Sequence, residues 1–168
     1  MTHSSYFTLV PEQPGDDAAI EHLLDLAFGA DRFDKSSYLL RVGAGPVEAL
    51  SLTLRRANCL CGTIRFWPVR IGAEHEALLL GPLGVHPDHQ GHRGGQILMA
   101  AGLSKAKALG HKLVFLVGDL GYYKRAGFAP VPTGQVTMPG AYDPERLLYA
   151  ELAPGALSGV EGLMKRYQ

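Results

Sequence analysis

From Ala77 to Met99 the chain reads ALLLGPLGVHPDHQGHRGGQILM, and this stretch decides the fold. Its first part, Ala77 to Val85, is apolar on both faces, the pattern of a central strand covered on two sides. Pro82 lies inside it and has no N–H to give, which predicts that pairing breaks there on one side. HPDHQGHRGG then turns the chain into a helix expected from Gln96 to Leu109, with Ile97, Leu98, Ala101 and Ala108 as its apolar stripe and Gly110 as its end. Lys112 to Val117, with LVFLV unbroken, reads as a second buried strand. A strand, helix and strand of this length predict two parallel neighbours joined by a right-handed crossover.

The turn between the first strand and the helix has its own chemistry. A glycine-rich strand-to-helix turn aims several free backbone N–H groups at one spot, where the helix dipole adds partial positive charge, and phosphate is the natural ligand. Gly91, Gly94 and Gly95 let the backbone approach an anion closely, and Arg93 adds a charge-assisted donor. Glycines alone are equally consistent with a plain turn. His86, His89 and His92 imitate metal-ligand spacing, but Pro87 and Gly91 break the helix that would bring the rings together, so no metal is expected. Gly94, Gly95 and Gln96 match the GGQ of peptide-release factors, yet apolar Ile97, Leu98 and Met99 follow at once, unlike an exposed loop.

Working outward, Ser5 to Val10 reads as a first strand, and Asp16 or Asp17 as the cap of a helix carrying Ile20, Leu23, Leu24 and Ala27, closed by Gly29. A second helix is expected at Phe33 to Arg41. Val47 to Arg55 and Cys59 to Ile71 form an expected hairpin turning near Ala57 and Asn58, since Leu50, Leu52 and Leu54 alternate. Gly118 and Asp119 open a short helix that Gly127 closes. Later strands are expected near Gln135 to Met138 and Leu147 to Leu152. The order argues for a mixed α+β domain on one twisted sheet, spanning residues 1–168 as a single unit.

The chain has 168 residues, 46% of them apolar and 19% charged, a globular balance. Lysine plus arginine (16) equals aspartate plus glutamate (16), so there is no excess positive field for nucleic acid or an anionic membrane. No apolar run is long enough to span a bilayer, and the start, MTHSSYFTLVPEQPGDD, has no basic region followed by an apolar core. A soluble, cytoplasmic protein is expected. Cys59 and Cys61 are read as reduced, buried thiols.

Between Leu79 and Phe128 the chain resembles the GNAT superfamily of N-acetyltransferases. In that family V-x-P-x-x-Q-G-x-G-x-G follows the fourth strand and Y-x-x-x-G-F follows the fifth. Val85, Pro87, Gln90, Gly91 and Gly95 match the first pattern; Tyr123, Gly127 and Phe128 match the second. The chain departs at Arg93, where the family has glycine, and at Asp119, where many members have asparagine. The resemblance implies a mostly antiparallel twisted sheet flanked by helices, with strands four and five parallel and splayed. It implies acetyl-CoA as co-substrate, held by Leu83, Gly84, Val85, Gln90, Gly91, His92, Arg93, Gly94, Gly95, Gln96, Asp119 and Tyr123.

It further implies direct attack of a primary amine on the thioester in a ternary complex. The backbone groups of Leu83 and Val85 would bond the pantetheine and thioester, and an N–H there would stabilise the oxyanion. Tyr123 is the expected general acid on the leaving thiolate, because a phenol keeps its proton at neutral pH; the alternative is that Tyr122 and Tyr123 simply pack. An alkylammonium must first lose a proton, and Glu76, His86 and Asp119 are the candidate bases, acting through water, each against a reading as solvated surface. Arg65 and Arg70 are candidates to meet an acceptor carboxylate, against the same alternative. The acceptor, a small-molecule or peptide amine, is not readable, and the C-terminal strands are candidates to line its cleft or to support a homodimer. A non-catalytic acyl-CoA sensor would keep the loop without needing the acid.

Overall fold

The structure, a computed structural model, describes residues 6–29, 32 and 36–167. Its strands are β1 (Thr8–Pro11), β2 (Leu52–Arg56), β3 (Cys59–Ile71), β4 (His75–Val85), β5 (Leu113–Val117), β6 (Ala129–Pro130), β7 (Val136–Thr137), β8 (Leu147–Glu151) and β9 (Gly162–Arg166). Its helices are α1 (Asp17–Phe28), α2 (Ser36–Leu39), α3 (Gly94–Ala108) and α4 (Leu120–Tyr123). The main sheet runs β1-β2-β3-β4-β5-β8-β6, with β9 added to β3 and β7 beside β9. β4 and β5 are parallel; the other pairs of that main path are antiparallel. This is the mixed α/β sheet flanked by helices that the order of elements predicts. Among the described residues no helix is long and apolar enough to cross a membrane.

β4 explains why the sheet is buried on both sides. Leu78 and Leu80 enter a core with Leu54, Ile64, Phe66, Leu98 and Val114, while Leu79 enters a second core with Trp67, Val69, Phe115, Val131 and Met164. Successive residues of a strand face opposite ways, so an unbroken apolar run fills both layers. α1 buries Ile20, Leu23 and Leu24, as its periodicity predicts, and crosses the far end of β4. A Cβ on Gly84 would stand 3.0 Å from Leu24 and 3.3 Å from Phe28, so the helix lies directly on that backbone.

Pairing between β4 and β5 is confined to Leu78 with Val114 and Leu79 with Phe115. It ends at Leu79, three residues before Pro82, and the missing Pro82 N–H falls instead at the irregularity in pairing with β3. On the other edge β4 stays paired with β3 through Val85, with an irregularity between Ile64 and Phe66. From Leu80 onward β4 is open along its β5 edge, whereas on its β3 edge pairing is interrupted at Gly81 and Pro82 and resumes at Leu83.

Several expectations need correction. Val47 to Leu50 is not strand: Glu48–Leu50 is a 3-10 turn, in which the Ser51 hydroxyl donates to the Val47 carbonyl at 3.1 Å and competes with extended pairing. Of the second helix only Ser36–Leu39 is helical, Phe33 to Lys35 lying outside the described residues, as does Ser5 of the first strand. α3 starts at Gly94 rather than Gln96, and Ala108 is exposed; the buried face runs through Gly95, Leu98, Met99, Gly102 and Ala106. Cys59 is exposed, and only Cys61 is buried. The hairpin turn is as expected, with Ala57 (φ 50°) and Asn58 (φ 69°) both left-handed.

Candidate active site

The open edge of β4 forms one wall of a cleft of about 470 Å³. Leu83, Gly84 and Val85 line it, together with Gln90, Gly91, Arg93, Gly94, Gly95 and Gln96 from the loop and Tyr122 and Tyr123 from α4. Ala27 and Phe28, at the end of α1, complete the wall. The size is within the range of small-molecule and cofactor sites.

The backbone of β4 is what makes this wall polar. His86 donates its N–H to the Cys61 carbonyl at 2.8 Å, on the β3 side. By strand alternation Gly84 shares that direction, and Leu83 and Val85 turn their N–H and C=O groups the other way, where β5 has already parted company. These are polar groups in need of a partner.

The loop presents a second set. Ile97 is the first α3 residue whose N–H reaches a carbonyl within the helix, that of Arg93 at 3.0 Å. The N–H groups of Gly94, Gly95 and Gln96 precede it and are the orphan donors that every helix start carries, at the positive end of a 15-residue dipole. Arg93 holds the turn with a left-handed backbone, φ 63° and ψ 25°, and its side chain is exposed. Left-handed backbone is where glycine is favoured, so this is the geometry in which a glycine is the ordinary residue.

At the other end stand the two tyrosines. Asp119 caps α4 by accepting the Gly121 N–H at 3.1 Å, and Gly127, left-handed at φ 95°, closes the following turn. Tyr123 packs edge-on to Phe128, with centroids 5.9 Å apart, and so close to Gly118 that a Cβ there would be 2.5 Å from its ring. Burial first, then the neighbouring Tyr122 and Asp119, push its phenol up to about 12, with Arg146 opposing. Tyr122 is 41% exposed, yet it too lines the cleft, its hydroxyl lying over Gly95.

Ten of the twelve expected coenzyme-contacting residues thus converge on one cleft. The other two side chains are engaged elsewhere: the His92 ring stacks on Tyr6, with centroids 3.6 Å apart, and Asp119 caps α4. His89 is likewise held, its Nδ1 3.0 Å from the Tyr6 hydroxyl. Glu76 stands at the opposite end of β4, its carboxylate 3.2 Å from the Tyr167 hydroxyl, so it is no base for this cleft. Nδ1 of His86 accepts the Asp88 N–H at 3.1 Å, and His86 lines no wall of the cleft. Arg65 is neither solvated nor available: it binds Glu12 through two contacts of 2.7 and 3.0 Å and reaches Asp17. Arg70 lies over the Tyr167 ring, away from the cleft.

Sequence reasoning missed Ala27 and Phe28, which reach the cleft only because α1 crosses Gly84. It also missed an adjoining cavity of about 100 Å³, walled by Phe28, Leu83 and Tyr123 in common with the cleft and by Tyr38, Arg41 and Pro82 beyond them. Among the described residues, no carboxylate or imidazole lines either cavity.

The model of the acetyltransferase (GNAT) family matches residues 18–128. The chain is 30% identical over 128 residues to the uncharacterized N-acetyltransferase YjhQ of Escherichia coli (strain K12), covering 74% of this chain and 71% of that one. A Brucella melitensis GNAT family acetyltransferase, crystallised with acetyl-CoA, superposes with a TM-score of 0.70 at 27% identity, over 98% of this chain and 97% of that one. YhbS of Escherichia coli, crystallised with CoA, has the same fold with a TM-score of 0.82 at 24% identity, over 99% and 93%.

Proposed function

The chain belongs to the acetyltransferase (GNAT) family, and on that basis we propose that it transfers the acetyl group of acetyl-CoA to a primary amine by direct attack in a ternary complex. One observation carries the reading. The unpaired edge of β4 connects a helix start with free backbone N–H groups at one end to a buried phenol at the other, along a single cleft. The diphosphate would lie on the N–H groups of Gly94 to Gln96 beside Arg93, and the pantetheine along Leu83 and Val85 as a stand-in for the missing strand pairing. That the Brucella relative was crystallised with acetyl-CoA supports the same ligand here.

In the reaction the amine nitrogen attacks the thioester carbon. A backbone N–H of the open β4 edge would hold the oxygen as it gains negative charge. The C–S bond then breaks, and Tyr123 gives its proton to the departing thiolate. Among the described residues no carboxylate or imidazole lines either cavity, so the amine is taken to enter in its neutral form. After transfer, the proton released by the amine nitrogen restores the phenol through solvent.

The test is calorimetric titration with acetyl-CoA, followed by an amine screen read through free-thiol release, for the wild type and Tyr123→Phe. Removing a general acid costs about a hundredfold or more in kcat. Equal turnover in the Phe variant would remove Tyr123 from this role. Tight acetyl-CoA binding with no turnover on any amine would favour the acyl-CoA sensor.

A further inference from the structure

The small cavity beyond Tyr123 holds a cation for which no carboxylate among the described residues is a counter-ion. Arg41 lines it, with its guanidinium 4.5 Å from the Tyr38 ring centroid and 5.7 Å from that of Trp67. Its Nε is shielded from solvent and has no hydrogen-bond partner among the described residues. One terminal nitrogen lies so close over Gly81 that a Cβ there would stand 2.8 Å away. The two arginines whose charges bear on Arg41 are themselves paired, Arg32 with Glu21 at 2.7 Å and Asp25 at 3.1 Å, and Arg65 with Glu12 at 2.7 Å. Among the described residues no carboxylate forms an ion pair with Arg41. Burial lowers its affinity for a proton to a value of about 10, which still leaves it charged at neutral pH.

We propose that Arg41 anchors a carboxylate of the acceptor, so that the amine acetylated is a small amino-carboxylate whose acid group enters this cavity. A desolvated guanidinium is unfavourable until an anion reaches it, and its planar fork fits a carboxylate with two parallel hydrogen bonds. At about 100 Å³ the cavity accommodates a head group rather than a whole ligand. Phe28, Leu83 and Tyr123 are shared with the coenzyme cleft, so an acceptor held by its carboxylate at Arg41 presents its amine toward the thioester. Leu80, Gly81 and Pro82 form the opposite wall, and the Gly81 carbonyl is taken by the Trp67 indole N–H at 2.6 Å.

This inference rests on the acetyl-transfer reading, and the experiment separates the two. Acetyl-CoA binding is measured by calorimetry for the wild type, Arg41→Met and Arg41→Lys. The α-amino acids, β-alanine and γ-aminobutyrate are then each assayed against their carboxamides. The wild type should acetylate at least one acid with kcat/KM about 30-fold or more above its amide, the scale of losing one partner of a buried charge pair. Arg41→Met should erase that preference mainly through KM, with the acetyl-CoA affinity unchanged, and Arg41→Lys should retain only part of it. A guanidinium that merely packs on Tyr38 and Trp67 would not move the acid-to-amide ratio. Should Arg41→Met fail to fold, the wild-type ratio and Arg41→Lys decide. Amides used as well as acids, a preference that survives both substitutions, or acetylation only of amines without a carboxylate would overturn the proposal and leave acetyl transfer standing. Failure to bind acetyl-CoA would overturn both.

Discussion

Arg93 occupies a left-handed backbone that costs a residue with a Cβ about 1 kcal/mol. Arg93→Gly relieves that strain but adds freedom to the unfolded chain by a similar amount, so the melting temperature should barely move. What the substitution removes is the guanidinium. Acetyl-CoA is expected to bind about fivefold to tenfold more weakly, with a shallower salt dependence, as befits one charge-assisted contact. Calorimetry at two ionic strengths checks this, and an unchanged Kd would take Arg93 out of the diphosphate site. Tyr123 makes a prediction in pH. Its phenol, pushed up to about 12, stays protonated across the whole neutral and mildly alkaline range. The neutral fraction of an alkylamine rises about tenfold per pH unit until it approaches half at about pH 10.4. Activity should therefore climb with pH up to about 10 without an alkaline fall, and a decline that begins near pH 8 would point to a different acid.

At the level of elements, the entry to α1 rests on Asp16. The residue sits at the N-cap but makes no side-chain cap bond; its carboxylate takes the Gln13 N–H at 2.7 Å and the Arg55 guanidinium from β2. Burial alone would raise its pKa, but the Arg55 and Gln13 hydrogen bonds outweigh that and hold it below the unfolded value of 3.8. A depressed carboxyl stabilises the fold above the unfolded value and loses that contribution as pH falls through the folded one. Asp16→Ala should cost about 2 kcal/mol at pH 7 in urea unfolding, and distinctly less near pH 3. A cost independent of pH would assign the effect to packing instead.

The elements also show what was readable beforehand. The β4, α3 and β5 unit was legible because LVFLV and ALLLGPLGV are apolar on both faces, and Pro82 marked in advance the one-sided break in pairing, which falls against β3. Leu50, Leu52 and Leu54 misled, because all three are buried, at 0%, 5% and 0% exposure, while Leu50 belongs to a turn. Alternation cannot tell those apart. β9 escaped notice since Met164 is its one buried residue and its partners, β3 and β7, are remote in sequence. The loop and Tyr123 were legible because each is a local pattern. Arg41 was not: it joins the site only through the packing of the α2 region on Gly81, and no spacing in the chain records that.

For the molecule as a whole, ligand and stability are linked. Acetyl-CoA at a hundred times its dissociation constant should add about 2.7 kcal/mol to unfolding, visible as a rise in melting temperature. ATP, which offers phosphates but no pantetheine, should give little. A shift with ATP and none with acetyl-CoA would reverse the assignment of the cleft. The chain's balance of 16 cations and 16 anions leaves no general field, so both nucleotides meet the same local donors and the comparison is a fair one.

Two rungs, Leu78 with Val114 and Leu79 with Phe115, are all that ladder β4 to β5, and so join the β1 to β4 portion of the main sheet to the portion built on β5, β8 and β6. A sheet so joined is a seam, and a pantetheine lying in it would act as a removable stitch. Amide deuterium uptake at Leu83 and Val85 should then be fast in the free protein and slow once acetyl-CoA is bound. Gly62 to Ile64, on the opposite side of the same strand, should change far less. The coenzyme would be, for the duration of one turnover, part of the fabric of the sheet.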